Sequence, residues 1–217
     1  SNRKISGLEF QPDLVWTKTR NHTYHHVWMD SVRGPSNRLN SDQNFVENHT
    51  NGGYLASFDH DGFTWQYGGG SSNEWWNENG RNYAAFCWKA GGTAVSNSDG
   101  TITSQVSANQ EAGFSIVTWT GSGADASIGH GLGAKPQVLF VKSRSHNDSW
   151  KVWFKGVTTS DPYSFQLNDN GSNYSGSDKW YNSPNGNDTT TTTFGVSNDN
   201  ATNRSSATFV AYCWTAI

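Results

Sequence analysis

At 217 residues and a formal charge of −3, the chain is long enough to bury a sizeable core, and its dispersed Lys and Arg offer no basic stripe for nucleic acid. Gly, Asn, Ser and Thr dominate, Met occurs once, and 11 Trp are scattered along the length. That composition belongs to short strands separated by turns and argues against a helical fold. No apolar stretch reaches the roughly 18 residues of a membrane span.

In chain order, Ser1-Asn2-Arg3-Lys4 does not read as a secretory leader. Pro12 opens a first strand in which Leu14, Trp16 and Lys18 alternate with Val15 and Thr17, the period of a sheet with one buried face. His26-Val27-Trp28-Met29 is the next strand. Asp59-His60-Asp61-Gly62 resembles part of a calcium loop but lacks the further oxygen ligands and closing Glu, so it reads as a turn. A polar loop from Gly68 to Arg81 carries Glu74, Trp75, Trp76 and Glu78, and Tyr83–Trp88 forms a closing strand. Asp99-Gly100 predicts a tight hairpin inside an ordered linker, 93–113. Phe114–Thr120 is a strand, followed by strands at Leu132–Arg144, Lys151–Phe154 and Phe209–Trp214. Trp180-Tyr181 lies in a second polar loop, and the end at Ile217, directly after a strand, reads as a natural terminus.

Self-comparison exposes a repeat. Leu8–Arg20 aligns with Leu132–Arg144, His26–Met29 with Lys151–Phe154, Asp61–Thr64 loosely with Thr192–Gly195, and Tyr83–Trp88 with Phe209–Trp214. On this alignment Trp28 matches Trp153, Trp88 matches Trp214 and Trp16 matches Phe140, all expected in cores. The expected fold is all-β: two tandem homologous antiparallel β-sandwich (jelly-roll-like) domains, residues 1–92 and 93–217. The first copy lacks a counterpart of Phe114–Thr120, which leaves a sheet edge open. That strand is supplied upstream in a longer precursor, donated by a neighbouring subunit, or simply dispensed with.

Cys87 and Cys213 occupy matched positions in the closing strands, too distant to pair and expected as small core residues. His22, His25 and His26 have no counterpart cluster in the second copy and no Cys or carboxylate at suitable spacing, so no metal or other cofactor is expected. Glu74 and Glu78 flank Trp75-Trp76, but nothing fixes them as a glycosidase pair. Asn-x-Ser/Thr triplets at Asn21, Asn48, Asn147, Asn170, Asn173, Asn187, Asn200 and Asn203 are formal glycan acceptors, and the Thr189–Thr193 run suits O-linked sugar or bare loop. The unshared loop aromatics Trp75, Trp76, Trp180 and Tyr181 are the candidate binding residues, for a glycan or a neighbouring subunit.

The motifs Gly7–Trp16, Asp30-Ser31-Val32-Arg33-Gly34, Ser57–Phe63, Phe86–Gly92 and Gly129–Pro136 resemble a repeat domain of tail-fibre and other virion proteins of marine bacteriophages. Members of that family often carry a laminin-G-like β-sandwich upstream of the repeat. The resemblance implies a non-enzymatic structural or adhesive subunit of a virion appendage or extracellular fibre. Its partners would be further copies of itself, other fibre subunits and surface glycans, with no nucleic acid. A solitary carbohydrate-binding module is the alternative, and a glycan depolymerase using Glu74 or Glu78 the third.

Overall fold

The computed structural model describes residues 2–49, 53–67, 77–155, 165–169, 180 and 189–216. The first half contributes β1 (Arg3–Ser6), β2 (Leu14–Thr19), β3 (Val27–Asp30), β4 (Asn37–Asn40), β5 (Asn48–His49), β6 (Gly53–Asp59), β7 (Gly62–Tyr67) and β8 (Tyr83–Trp88). The second adds β9 (Val95–Asn97), β10 (Ser104–Asn109), β11 (Phe114–Thr120), β12 (Ala126–Gly129), β13 (Pro136–Ser143), β14 (Lys151–Phe154), β15 (Phe165–Gln166), β16 (Thr193–Val196) and β17 (Thr208–Thr215). The one described helix, α1 (Asn200–Asn203), is a single turn whose Ala201 amide donates to the Asp199 carboxylate at 2.8 Å. The protein is all-β and β-sandwich-like.

Four antiparallel sheets, ordered β1-β7-β6, β5-β4-β3-β2-β8, β15-β14-β13-β17-β11-β10-β9 and β12-β16, lie in successive layers. Strand alternation decides what meets what. Val15, Val27 and Met29 face Leu55, Phe63 and Trp65 of the first small sheet. On the opposite face of the same strands, Leu14, Trp28 and Leu39 meet Phe114, Ile116, Val210 and Tyr212 of the seven-stranded sheet. The far side of that sheet packs Val117, Trp119, Leu139 and Phe209 against Ile128, Phe194 and Val196. Neighbours β2 to β5 run as a meander, unlike the crossed order of a jelly roll.

The two halves share their registers. Val15 pairs with Cys87 and Leu139 with Cys213; Trp16 pairs with Phe86 and Phe140 with Tyr212; Ile5 pairs with Phe63 and Ile128 with Phe194. Lys18 Nζ donates to the carbonyls of Thr19 (2.7 Å) and His22 (2.8 Å), and Lys142 Nζ to those of Ser143 (2.6 Å) and His146 (3.2 Å). Gly62 is fixed by close approach and by φ of +150°: a Cβ there would meet the Ile5 carbonyl oxygen at 2.0 Å.

Several expectations need correction. Trp28 sits opposite Trp16, whereas the residue opposite Phe140 is Val152, so the sequence match of Trp28 to Trp153 is one residue out. A one-residue slip exchanges faces: Trp28 is in the core between the halves, and Trp153 packs on the other side of its sheet. Asp99-Gly100 is not a two-residue turn. β10 resumes only at Ser104, opposite Asn97, because Ile102 bridges to Ile128 and the loop lies on β12. Asn203 is fully buried, its amide donating to Ser122 Oγ (3.0 Å) and the Ala124 carbonyl (2.6 Å), which rules it out as a glycan acceptor in the folded protein.

Candidate functional site

Among the described residues β8 pairs with β2 alone, and no described strand lies along its outer edge. Its sequence, Tyr83-Ala84-Ala85-Phe86-Cys87-Trp88, holds none of the charges or prolines that usually blunt an edge. Phe86 is 54 % exposed although its ring lies 5.5 Å from Trp16 and 6.5 Å from Trp88. An uncharged edge crowned by a bare aromatic is suited to receiving another strand.

Directly beneath this edge, on the face opposite Phe86, a cavity of about 440 Å³ opens between the five-stranded sheet and the β1-β7-β6 sheet. Ile5, Thr17, Phe63, Trp65, Tyr83 and Ala85 line it. Arg3, Arg20, Asn77, Arg81 and Asn82 line it further, adding polar and cationic groups. The positive charge is partly offset: Arg81 Nε donates to Glu78 at 2.9 Å, and Arg81 together with the Tyr24 hydroxyl holds the Glu78 carboxyl below its usual range. The Tyr83 hydroxyl accepts the Glu78 amide at 2.8 Å, tying the start of β8 to the preceding turn.

A second polar cluster lies buried where the halves meet. Arg33 donates to Asp30, Glu47 and the Tyr212 hydroxyl, and that hydroxyl donates to Asp30 at 2.6 Å. Arg144 completes it with two bonds to Glu47, at 2.9 and 2.8 Å. Burial disfavours charge on Arg33, but Asp30, Tyr212 and Glu47 together raise its pKa above normal; burial likewise raises Tyr212 far above an ordinary phenol. The polar groups of this cluster answer one another across the two halves, which makes it a fastening.

The family model described as "Domain of unknown function (DUF7483)" matches residues 1–217, both halves in one span. The chain belongs to this family. No curated protein matches it, and no solved structure does.

In this DUF7483 chain, Trp75, Trp76, Tyr181 and Glu74 lie outside the described residues. Trp180 is corrected: it is fully buried among Val117, Phe194 and Phe209 in the outer core of the second half, so its ring meets protein and is closed to a glycan or a second subunit. Glu78 pairs with Arg81 at 2.9 Å. The His25 ring bonds Asp42 at 2.8 Å, while Asp61 accepts the amides of Gly7 and Glu9 and so anchors the chain before β2. Burial pushes the Cys87 thiol up to about 11 and Cys213 to about 12, the opposite of an activated nucleophile.

The residues that sequence reasoning missed are those of the DUF7483 edge and cavity: Phe86, Tyr83, Ala85, Phe63 and Trp65. Their signal was present in the shared closing strand and the unmatched Phe114–Thr120, because a missing strand uncovers the residues it would have packed on.

Proposed function

We propose that this protein is a non-enzymatic structural or adhesive subunit that assembles through the β8 edge, in a virion appendage or extracellular fibre. The observation that carries the reading is the uncharged β8 edge, along which no described strand lies, with Phe86 more than half exposed upon it. The matched registers and the paired Lys18 and Lys142 contacts support reading residues 1–92 and 93–217 as two diverged copies of one unit. The virion setting rests on the motif resemblance. The residues with perturbed pKa values support a structural role: those in the central cluster bond one another, and both thiols are pushed toward the neutral form.

Light scattering across a concentration series tests the assembly reading. Wild type is expected to associate as concentration rises, and Phe86→Lys to remain monomeric with unchanged circular dichroism. Wild type that stays monomeric at every concentration sinks assembly through this edge.

A carbohydrate-binding module is the second reading, favoured by the Arg3, Arg20, Asn77 and Asn82 groups beside the aromatic wall of the cavity. It predicts that an acidic oligosaccharide binds wild type and binds Arg20→Ala at least several-fold more weakly.

A further inference from the structure

The seven positions that line the first-half cavity on β1, β2, β7 and β8 have exact register partners in the second half. Arg3, Ile5, Thr17, Phe63, Trp65, Tyr83 and Ala85 correspond to Ala126, Ile128, Val141, Phe194, Val196, Phe209 and Ala211. All seven of the latter belong to one closed core. What closes it is β11, which lies along β17 with Val117 opposite Ala211 and Trp119 opposite Phe209. The Trp119 ring sits 5.3 Å from Phe209 and 5.7 Å from Phe194, filling the space between the two sheets. On its other face β11 sets Ile116 opposite Tyr212, the register partner of the exposed Phe86.

We infer that the β8 edge and the cavity beneath it form one acceptor groove for an extended strand donated by another polypeptide, carrying the β11 pattern. This rests on the assembly reading above and names the partner. In the register of β11, the donor places an aliphatic residue over Phe86, a β-branched residue against Ala85, and an aromatic ring two residues further on in the cavity, between Tyr83 and Phe63. Its backbone completes the open edge. The three anomalies of the first half then have one cause: a bare Phe86, an exposed Ala85 within a core position, and a void where its counterpart holds an indole.

The donor is a separate strand because β11 itself is engaged. It is paired on both sides, with β10 and β17, and Phe114 through Val117 are fully buried. A second copy pairing β8 against β8 would satisfy the edge but bring no ring into the cavity, since Tyr83 and Ala85 already face their own. Such pairing is what the unfilled groove falls back on, and a true donor displaces it.

The test uses the 217-residue chain and a synthetic peptide of sequence Phe114–Thr120 flanked by lysines for solubility. The peptide is expected to bind saturably one to one, to slow amide exchange across Tyr83–Trp88, and to disperse any oligomers the chain forms alone. Replacing the peptide's Trp by Ala is expected to weaken binding about tenfold or more, and Ala85→Trp in the protein, which plugs the cavity, to do the same. The peptide variant leaves the protein untouched, so the result stands even if Ala85→Trp folds poorly. No binding up to about 1 mM, or binding indifferent to the peptide's Trp, overturns the inference. If oligomers that Phe86→Lys abolishes persist in the presence of peptide, the assembly reading survives and the donated strand is refuted. If neither oligomers nor peptide binding occurs, both readings fall.

Discussion

Arg33 illustrates how much a single side chain holds here. It is buried, and its donors reach Asp30, Glu47, Tyr212 and the carbonyls of Asn37 and Trp28. Removing one partner of such a group leaves an uncompensated buried charge, so Arg33→Met is expected to cost about 3–5 kcal/mol in urea unfolding. Pairing it with Asp30→Leu should recover part of that loss, because the orphaned carboxylate goes too. A loss below about 1 kcal/mol for the single change would show that water reaches the cluster and replaces the lost donors. His130 is a second buried group. Desolvation depresses its pKa to about 4, against the model-peptide 6.5, and its Nδ1 accepts the Leu132 amide. Between those two pH values only the unfolded chain takes up the proton, so stability falls as pH drops from 6.5 toward 4, by about 3 kcal/mol in full. Denaturation midpoints over that window should fall for wild type and flatten for His130→Gln. None of this was legible in sequence. Tyr212 and Asp30 stand 182 residues apart, and Asp30-Ser31-Val32-Arg33-Gly34 read only as a motif, with no hint that it faces the other half.

At the scale of elements the strands themselves were readable, because β2, β8, β11, β13 and β17 combine β-branched and aromatic residues with period-two alternation. Register was less so. The Trp28 to Trp153 match followed residue identity, and only the ladder shows that a Trp in one half stands where Val152 stands in the other. Trp180 misled for another reason: its polar neighbours in sequence suggested an exposed loop, while tertiary packing places the indole in the core. Position in the sheet also sets local stability. β17 is flanked by β13 and β11 and buried along Phe209–Cys213, whereas β8 has one neighbour among the described strands and exposes Ala85 and Phe86. Amide exchange should therefore be slowest in β17 and markedly faster at alternate amides of β8. Equal protection in the two strands would mean that the edge is already covered in the free protein.

The whole molecule turns on the core between its halves. Trp28 lies 5.8 Å from Phe140, 5.3 Å from Trp150 and 4.9 Å from Tyr212, and Trp88 lies 6.3 Å from Phe114 and 5.9 Å from Trp214. Hydrogen bonds stitch the same boundary, from Trp150 Nε1 to the Asn40 carbonyl (2.8 Å), from the Glu47 amide to the Arg144 carbonyl (2.8 Å), and from Arg144 to Glu47. A tandem pair with separate cores would be expected to melt in two steps, and sequence alone suggested that arrangement because the repeat divides the chain into two units, the first short of one strand. The aromatic face of the five-stranded sheet has no other cover among the described residues, so separating the halves would expose several large rings to water at once, each worth about 2 kcal/mol or more of burial. Unfolding is therefore expected as one calorimetric transition, with the van't Hoff enthalpy equal to the calorimetric one. Trp28→Ala should lower that single transition by about 3–5 kcal/mol rather than detach one half from it. Two resolved transitions in wild type, with only the first moved by Trp28→Ala, would show that the halves are independent and that the central layer is a contact rather than a core.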